Sequence, residues 1–165
     1  MIREIQLESD IELPLHAVEV PPPSTVSDSA GQYIVSHTGD GVWWVGVNVR
    51  ENDSNDGNNN TTVMAENKLS YSGAPGSDRR LAWPCHVAVS TNSDVNKDNF
   101  VFVADNYNDR IVVLNSDLEF VRHIKLDKTY RVRRLYLDEE NQRLYVGLKD
   151  GNVGRVDNVF SHQNN

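Results

Sequence analysis

The chain has 165 residues, of which 38% are hydrophobic, so it has the size of one domain and can bury a moderate core. Its 16 basic and 24 acidic residues give a net charge of −8, which argues against the basic surface that phosphate binding normally requires. One cysteine excludes an internal disulfide framework, and no N-terminal apolar stretch resembles a signal peptide or a membrane span, so we expect a cytoplasmic protein with no membrane partner.

The N-terminal residues have the pattern of a strand that ends a repeat. Residues 1–7 match residues 120–126, which close the clearest copy of that repeat further along the chain. We therefore predict an orphan outer strand over residues 1–8, belonging to a copy whose other strands are absent.

Residues 9–82 contain a first copy of the repeat with an insertion. Residues 14–18 and 33–36 match 84–88 and 101–104 at an offset of roughly 68 to 70 residues. The excess length lies in residues 51–66, which are Asn-rich and almost wholly polar. Because such a stretch buries too little apolar area to offset the entropy of ordering, we predict a disordered surface loop there.

Residues 83–127 form the second and clearest copy. Runs of β-branched and aromatic residues bounded by Asp, Asn and Gly predict four strands.

Two of the predicted strands, 42–45 in the first copy and 101–104 in the second, are continuously apolar, which predicts strands covered on both faces. The stacked blades of a β-propeller have such strands, whereas the sheets of a sandwich should show cleaner alternation.

A third, incomplete copy occupies residues 128–160 and is followed by a tail over 161–165. Residues 144–147 and 152–156 recur about 42 to 43 residues after their counterparts, which is the period of a propeller blade. The predicted fold is therefore all-β: a partial β-propeller of three four-stranded antiparallel blades, the third lacking its last strand.

The second copy carries a family pattern. A Gly-rich connection over 71–77 precedes Pro84, the second strand ends in Ala104-Asp105, and the third opens with Asn108-Asp109-Arg110-Ile111. In these features the chain resembles the NHL-repeat family, and the resemblance covers most of the chain. It implies half of a six-bladed propeller, commonly the C-terminal part of tripartite-motif proteins, where it recruits a protein or single-stranded RNA. The first and third copies depart from the pattern, with Ser36-His37 and Gly147-Leu148 in place of Ala-Asp.

Three blades are too few to close a ring, since a closed propeller needs at least about four. We therefore expect the chain to be part of a longer protein. The alternative is a homodimer in which the orphan strand completes the third blade and two chains form one six-bladed ring.

The candidate binding face consists of the loops between the second and third strands of each copy. Its predicted partner-binding residues are Asn106, Tyr107, Asn108, His37, Asp40, Lys149 and Asp150. Asp105 and Arg110 are interpreted as a structural hydrogen-bonded pair, with Asn108 tolerating a left-handed turn. Pro84 and His86 are assigned structural roles in the repeat.

The mixed, polar chemistry of these loops predicts a non-catalytic module that binds a protein. The resemblance to the NHL-repeat family implies substrate recruitment of the kind made by a tripartite-motif-type ubiquitin ligase. No Ser-His-Asp order, phosphate cradle or Cys-His cluster accompanies the loops, so we expect no enzyme activity, cofactor or metal. The alternative is an RNA-binding propeller, for which Arg131, Arg133 and Arg134 are the anionic-partner contacts.

A second alternative follows from the lyase branch that uses the same propeller and holds zinc with histidines. The available ligands are His16, His37 and His86. Because His16 and His86 occupy equivalent repeat positions, a single structural role in two blades is the simpler interpretation.

Overall fold

The structure, a computed structural model, describes residues 14–20, 31–38, 41–51, 61–73, 78–91, 99–126 and 131–161. The orphan strand predicted over residues 1–8 and most of the tail over 161–165 lie outside these ranges.

Three antiparallel sheets make up the described part of the chain. The first contains β1 (Pro14–Val20), β2 (Gly31–His37), β3 (Gly41–Glu51) and β4 (Thr61–Tyr71). The second contains β5 (Pro84–Val89), β6 (Phe100–Asp105), β7 (Arg110–Asn115) and β8 (Phe120–Lys125). The third contains β9 (Val132–Asp138), β10 (Arg143–Leu148) and β11 (Val153–Asp157). Each sheet is a meander in chain order, and the all-β prediction is confirmed.

The prediction of a disordered loop over residues 51–66 is wrong at both ends of that segment. Glu51 ends β3 and pairs with Thr61, and β4 runs through residues 61–66, which the composition assigned to a disordered loop. Antiparallel pairing satisfies the backbone donors and acceptors of both strands whatever the polarity of their side chains. A polar amino-acid composition therefore does not reveal whether a segment pairs as a strand. Residues 52–60 lie outside the described ranges.

The strand registers confirm the alignment of the three copies. Four sets of residues occupy equivalent places: Pro14, Pro84 and Val132; His16, His86 and Arg134; Ser36, Ala104 and Gly147; Val42, Ile111 and Val153. The first strand of every sheet has a register shift at the same point, after the residue of the first set. A shared bulge at a shared position indicates one supersecondary unit repeated three times.

Two apolar cores join the sheets. One joins the first and second sheets and includes Ile34, Val42, Val103 and Val112. The other joins the second and third sheets and includes Phe102, Ile111, Leu135 and Leu144. The middle sheet therefore has both faces covered, and all six residues of β6 are buried, as the continuous apolar run of 101–104 predicts.

Candidate binding face

An ion pair fixes the loop between β6 and β7. Arg110 Nε lies 2.7 Å from Asp105 Oδ2, and the two side chains are 9% and 0% exposed. The other carboxylate oxygen of Asp105 accepts the Ala82 N–H at 2.7 Å. Buried charges need such partners, and the predicted hydrogen-bonded pair of Asp105 and Arg110 is present in this loop.

The same loop is tied to the segment that precedes β5. Arg110 Nη2 donates to the Arg80 carbonyl at 2.8 Å, and Nη1 donates to the Asp78 carbonyl. Asn108 Nδ2 also donates to the Arg80 carbonyl, at 2.9 Å, so the Asn108 side chain is used in holding the loop. The left-handed residue of the turn is Asp109, with φ of 50°, not Asn108 as predicted.

Asn106 is not a surface residue. Its side chain is 4% exposed, and Nδ2 donates to the Val132 carbonyl at 2.7 Å, which connects the second sheet to the third. The prediction that Asn106 is free to meet a ligand is therefore wrong. A short 3-10 turn over Asn106–Asn108 directs this side chain inward and leaves Tyr107 outside.

Tyr107 stands at the centre of an exposed cluster. It is 54% exposed, and its ring centroid lies 5.7 Å from that of Trp83, which is 38% exposed. The Arg131 guanidinium carbon lies 4.9 Å from the Tyr107 ring centroid, in cation–π geometry. We call Trp83, Tyr107 and Arg131 the aromatic–arginine face. Trp83 was not among the binding residues predicted from the sequence. Its position directly before Pro84, beside the loop between β6 and β7, was the signal available for predicting it.

Two members of this face have left-handed backbones. Trp83 has φ of 57° and Arg131 has φ of 46°, and each immediately precedes the first strand of its sheet. The Arg131 N–H donates to a carboxylate oxygen of Asp109 at 2.6 Å. A left-handed conformation is strained for residues with a β-carbon, and four described residues outside this face also adopt it: Asp109, Leu118, Gln142 and Asn158.

The loop between β10 and β11 lies beside Arg131. The Lys149 N–H donates to the Arg131 carbonyl at 3.1 Å, and the Lys149 side chain is exposed. Asp150 is also exposed and accepts hydrogen bonds from the side chain and backbone N–H of Asn152, which lower the pKa of its carboxyl. The structure thus brings the second and third predicted loops together.

The first predicted loop does not present its histidine. His37 is 3% exposed and packs edge-on against Trp43, with 5.7 Å between ring centroids. The prediction of His37 as a partner contact is wrong because that side chain is buried at the end of β2. Asp40 lies outside the described ranges.

The histidines of the first two sheets have the structural role that their repeat positions indicate. The Val87 N–H donates to His16 Nδ1 at 3.3 Å, and the Leu135 N–H donates to His86 Nδ1 at 3.4 Å. The two imidazoles stack with centroids 3.6 Å apart. Each histidine therefore joins its sheet to the next. Pro84 is buried at the start of β5, where it pairs with Asp105.

Burial and charge keep both imidazoles neutral. Desolvation, then the neighbouring His16 and Arg134, lower the pKa of His86 to about 4. Desolvation, followed by Arg134, also lowers the pKa of His16. Arg133 and Arg134 are exposed on β9, the strand that begins directly after Arg131.

The described part of the chain holds no group of three or more His, Cys, Asp or Glu placed to bind a metal ion. The Cys85 thiol donates to the Val132 carbonyl at 3.2 Å, and burial raises its pKa, so it is a poor nucleophile. Within the same ranges, no helix is long and apolar enough to cross a membrane.

Comparisons with known proteins give a fold likeness and no family. No protein-family model and no curated protein matches the chain. A chain in the structure of apo ctPRC2 in an autoinhibited state is similar, with a TM-score of 0.59 and 10% identity over 92% of this chain, which spans 30% of the length of that one. The computationally designed Ika4 protein is 15% identical, with a TM-score of 0.38, over 95% of this chain and 99% of its own. The similarity to the ctPRC2 chain concerns the fold alone, and the TM-score for the Ika4 protein is too low to support a conclusion.

Proposed function

We propose that the chain is a non-catalytic interaction module that binds a protein through the aromatic–arginine face. The observation that carries the proposal is the exposure of Trp83, Tyr107 and Arg131 side by side. These are the three residue types most enriched among interface hot spots, because they combine large contact area with directional polar groups.

The support beneath the face favours binding. Tyr107 lies between Asn106 and Asn108, whose side chains are hydrogen-bonded to Val132 and Arg80. The ion pair of Asp105 and Arg110 holds the same loop from within. A surface held in one conformation loses less conformational entropy on association, so more of the contact energy contributes to affinity.

The architecture behind the face is a partial NHL-type propeller in this proposal, with the three sheets as blades. Equivalent bulges, equivalent histidines and two cores between successive sheets support it. A cytoplasmic protein of this kind acts in substrate recruitment, as in tripartite-motif-type ubiquitin ligases.

The charge around the face favours an acidic partner. Arg131, Arg133 and Lys149 are exposed on or beside it, although the whole chain carries a net charge of −8. An acidic peptide segment would approach these cations while an apolar side chain packs against Trp83 and Tyr107.

Single-stranded RNA is the second candidate, because a tyrosine beneath an arginine also suits base stacking. The two functions differ in salt dependence. RNA binding weakens steeply as salt rises, since phosphate contacts release counterions, whereas contact through aromatic anchors changes little.

The test is a selection of displayed random peptides on the immobilised wild-type chain, in parallel with a pool of single-stranded RNA. We expect peptides whose affinity falls at least tenfold with Tyr107→Ala and is unchanged with Tyr136→Ala, a tyrosine on β9 that is 68% exposed, against 54% for Tyr107. Selection of RNA alone, with a steep salt dependence, would replace the protein-binding function by the RNA-binding one. Peptides that bind both variants equally would refute the aromatic–arginine face.

A further inference from the structure

The third sheet has one face in a core and one face open. Successive side chains of a strand point to opposite faces of its sheet. One face of the third sheet carries core residues: Leu135, Leu137, Leu144, Val146 and Val156. On the opposite face, which we call the outer face, Val153 is 70% exposed and Tyr136 is also exposed. The described residues therefore leave the outer face accessible to a ligand.

The outer face differs in chemistry from the equivalent face of the second sheet. One row across the second sheet consists of apolar residues in the core shared with the third sheet: Ala88, Phe102 and Val113. The equivalent row across the third sheet consists of amphipathic and charged residues: Tyr136, Tyr145 and Arg155. Charged residues are rarely buried in a core, so this row is suited to a solvated binding surface and not to packing against another sheet.

Two tyrosines form the centre of the outer face. Tyr136 on β9 and Tyr145 on β10 lie directly opposite each other, and their ring centroids are 6.2 Å apart. The ring planes are inclined by 40°, so neither ring covers the other in a face-to-face stack. Exposed aromatic rings on a sheet are the surfaces on which proteins stack the bases of single-stranded nucleic acids.

Three arginines surround the tyrosine pair. Arg134 and Arg143 each lie two positions before a tyrosine on the same strand, and therefore on the same face. Arg155 lies directly opposite Tyr145 on β11. Planar guanidinium groups bind phosphate oxygens through two hydrogen bonds and also stack on aromatic rings. The outer face thus combines two stacking surfaces with three groups that can bind phosphate.

Two aspartates on the outer face offset only part of this charge. Asp157 is shared by two arginines, 3.3 Å from Arg143 Nε and 3.1 Å from Arg155 Nε. Asp138 is half-buried and lies opposite Arg143. Three arginines against two aspartates leave this face of the three strands positive, although the whole chain carries a net charge of −8.

We propose that the outer face of the third sheet binds single-stranded nucleic acid, with bases stacked on Tyr136 and Tyr145 and phosphates held by Arg134 and Arg155. A nucleic-acid strand supplies a planar ring and a phosphate at every residue, so it uses the tyrosines and the arginines together. An acidic peptide would use the arginines alone. The site is separate from the aromatic–arginine face, and its function goes beyond the protein binding proposed above.

Fluorescence anisotropy of labelled oligothymidylate and oligouridylate, each about ten nucleotides long, tests the proposal on the purified full chain. We expect binding of at least one oligonucleotide, weakened about fivefold or more by Tyr136→Ala, because stacking on an aromatic ring contributes that much per base. Tyr136→Phe keeps the ring and should keep the affinity. A wild-type chain that binds neither oligonucleotide overturns the proposal, as does equal binding by the wild type and Tyr136→Ala.

The salt dependence tests the arginines. Three phosphate contacts predict a slope of about −2 when the logarithm of the association constant is plotted against that of the salt concentration. Arg134→Gln should reduce the magnitude of this slope by about 0.7. Lys125→Gln makes the same charge change at an exposed position on β8 of the second sheet and should leave the slope unchanged. Equal slopes for the wild type and Arg134→Gln contradict a phosphate contact at Arg134.

Two further measurements separate this site from its alternatives. Oligonucleotide binding that is lost with Tyr107→Ala and kept with Tyr136→Ala would assign nucleic acid to the aromatic–arginine face and overturn the proposal. Displacement of the oligonucleotide by oligoglutamate of the same length at equal concentration would identify an acidic peptide as the ligand and also overturn it. Peptide binding that depends on Tyr107 is measured independently, so failure of the nucleic-acid site leaves the protein-binding function intact.

Discussion

Asp105 connects three parts of the chain around the loop between β6 and β7. Its two carboxylate oxygens accept from Arg110, from Asn108 and from the Ala82 N–H, and its side chain is fully buried. The loop, the segment before β5 and the end of β6 therefore share one acceptor. Loss of its charge leaves Arg110 buried without a counter-ion.

We predict that Asp105→Asn destabilises the chain by about 3 kcal/mol, because breaking a buried pair leaves an uncompensated charge. Glu119→Gln is the matched change of a carboxylate to an amide at an exposed hydrogen bond and should alter stability by less than about 0.5 kcal/mol. Urea unfolding followed by tryptophan fluorescence measures both. Similar small effects would show that the Asp105 network contributes little.

Two strand glycines should respond oppositely to Gly→Ala. A β-carbon at Gly41 would lie 2.8 Å from His37 Nε2, and His37 is itself buried, so we expect destabilisation of about 1–3 kcal/mol. At Gly154 the nearest atoms are 3.9 Å away, so the lower entropy of the unfolded chain should stabilise by about 0.4–1 kcal/mol. The unfolding free energies of the two variants check the signs, and stabilisation by Gly41→Ala would contradict the packing.

At the scale of elements, the first strands of the sheets are connected by histidines. His16 on β1 accepts from β5, and His86 on β5 accepts from β9, each through a neutral imidazole nitrogen. The pKa of both groups is lowered in the folded chain, so the unfolded chain binds more protons in the acidic range. Stability contributed by the stack is therefore present above pH 6.5 and is lost as the pH falls toward about 4.

We predict that His86→Asn flattens this loss of stability between pH 6.5 and 4, because the asparagine oxygen can accept the Leu135 N–H without titrating. The midpoint of urea unfolding, measured across this pH range, is the readout. His162→Asn removes a histidine near the C-terminus and should leave the wild-type profile unchanged. Parallel profiles for the wild type and His86→Asn would contradict the assignment.

The sequence predicts strands better than it predicts loops. The continuous apolar run of 101–104 predicted burial on both faces, since hydrophobic periodicity reports which faces a strand covers. Residues 61–66 were mistaken for loop because their polarity conceals backbone pairing. Asn106 is buried, against prediction, because the direction of a loop side chain depends on a local turn that composition does not encode. His37 is buried, against prediction, because it belongs to the end of β2 and not to the loop that follows.

At the scale of the whole molecule, the middle sheet connects the two apolar cores. One core joins it to the first sheet and the other joins it to the third, so both of its faces are covered. Among the described sheets it is therefore the one whose opening disrupts both cores.

The left-handed backbones of Trp83 and Arg131 add a cost to the side chains that they carry. Glycine adopts this conformation without the penalty of a β-carbon, which is about 1–2 kcal/mol per residue. A Trp83→Gly or Arg131→Gly variant would therefore be relieved of this strain and would lose the exposed indole or guanidinium group of the aromatic–arginine face.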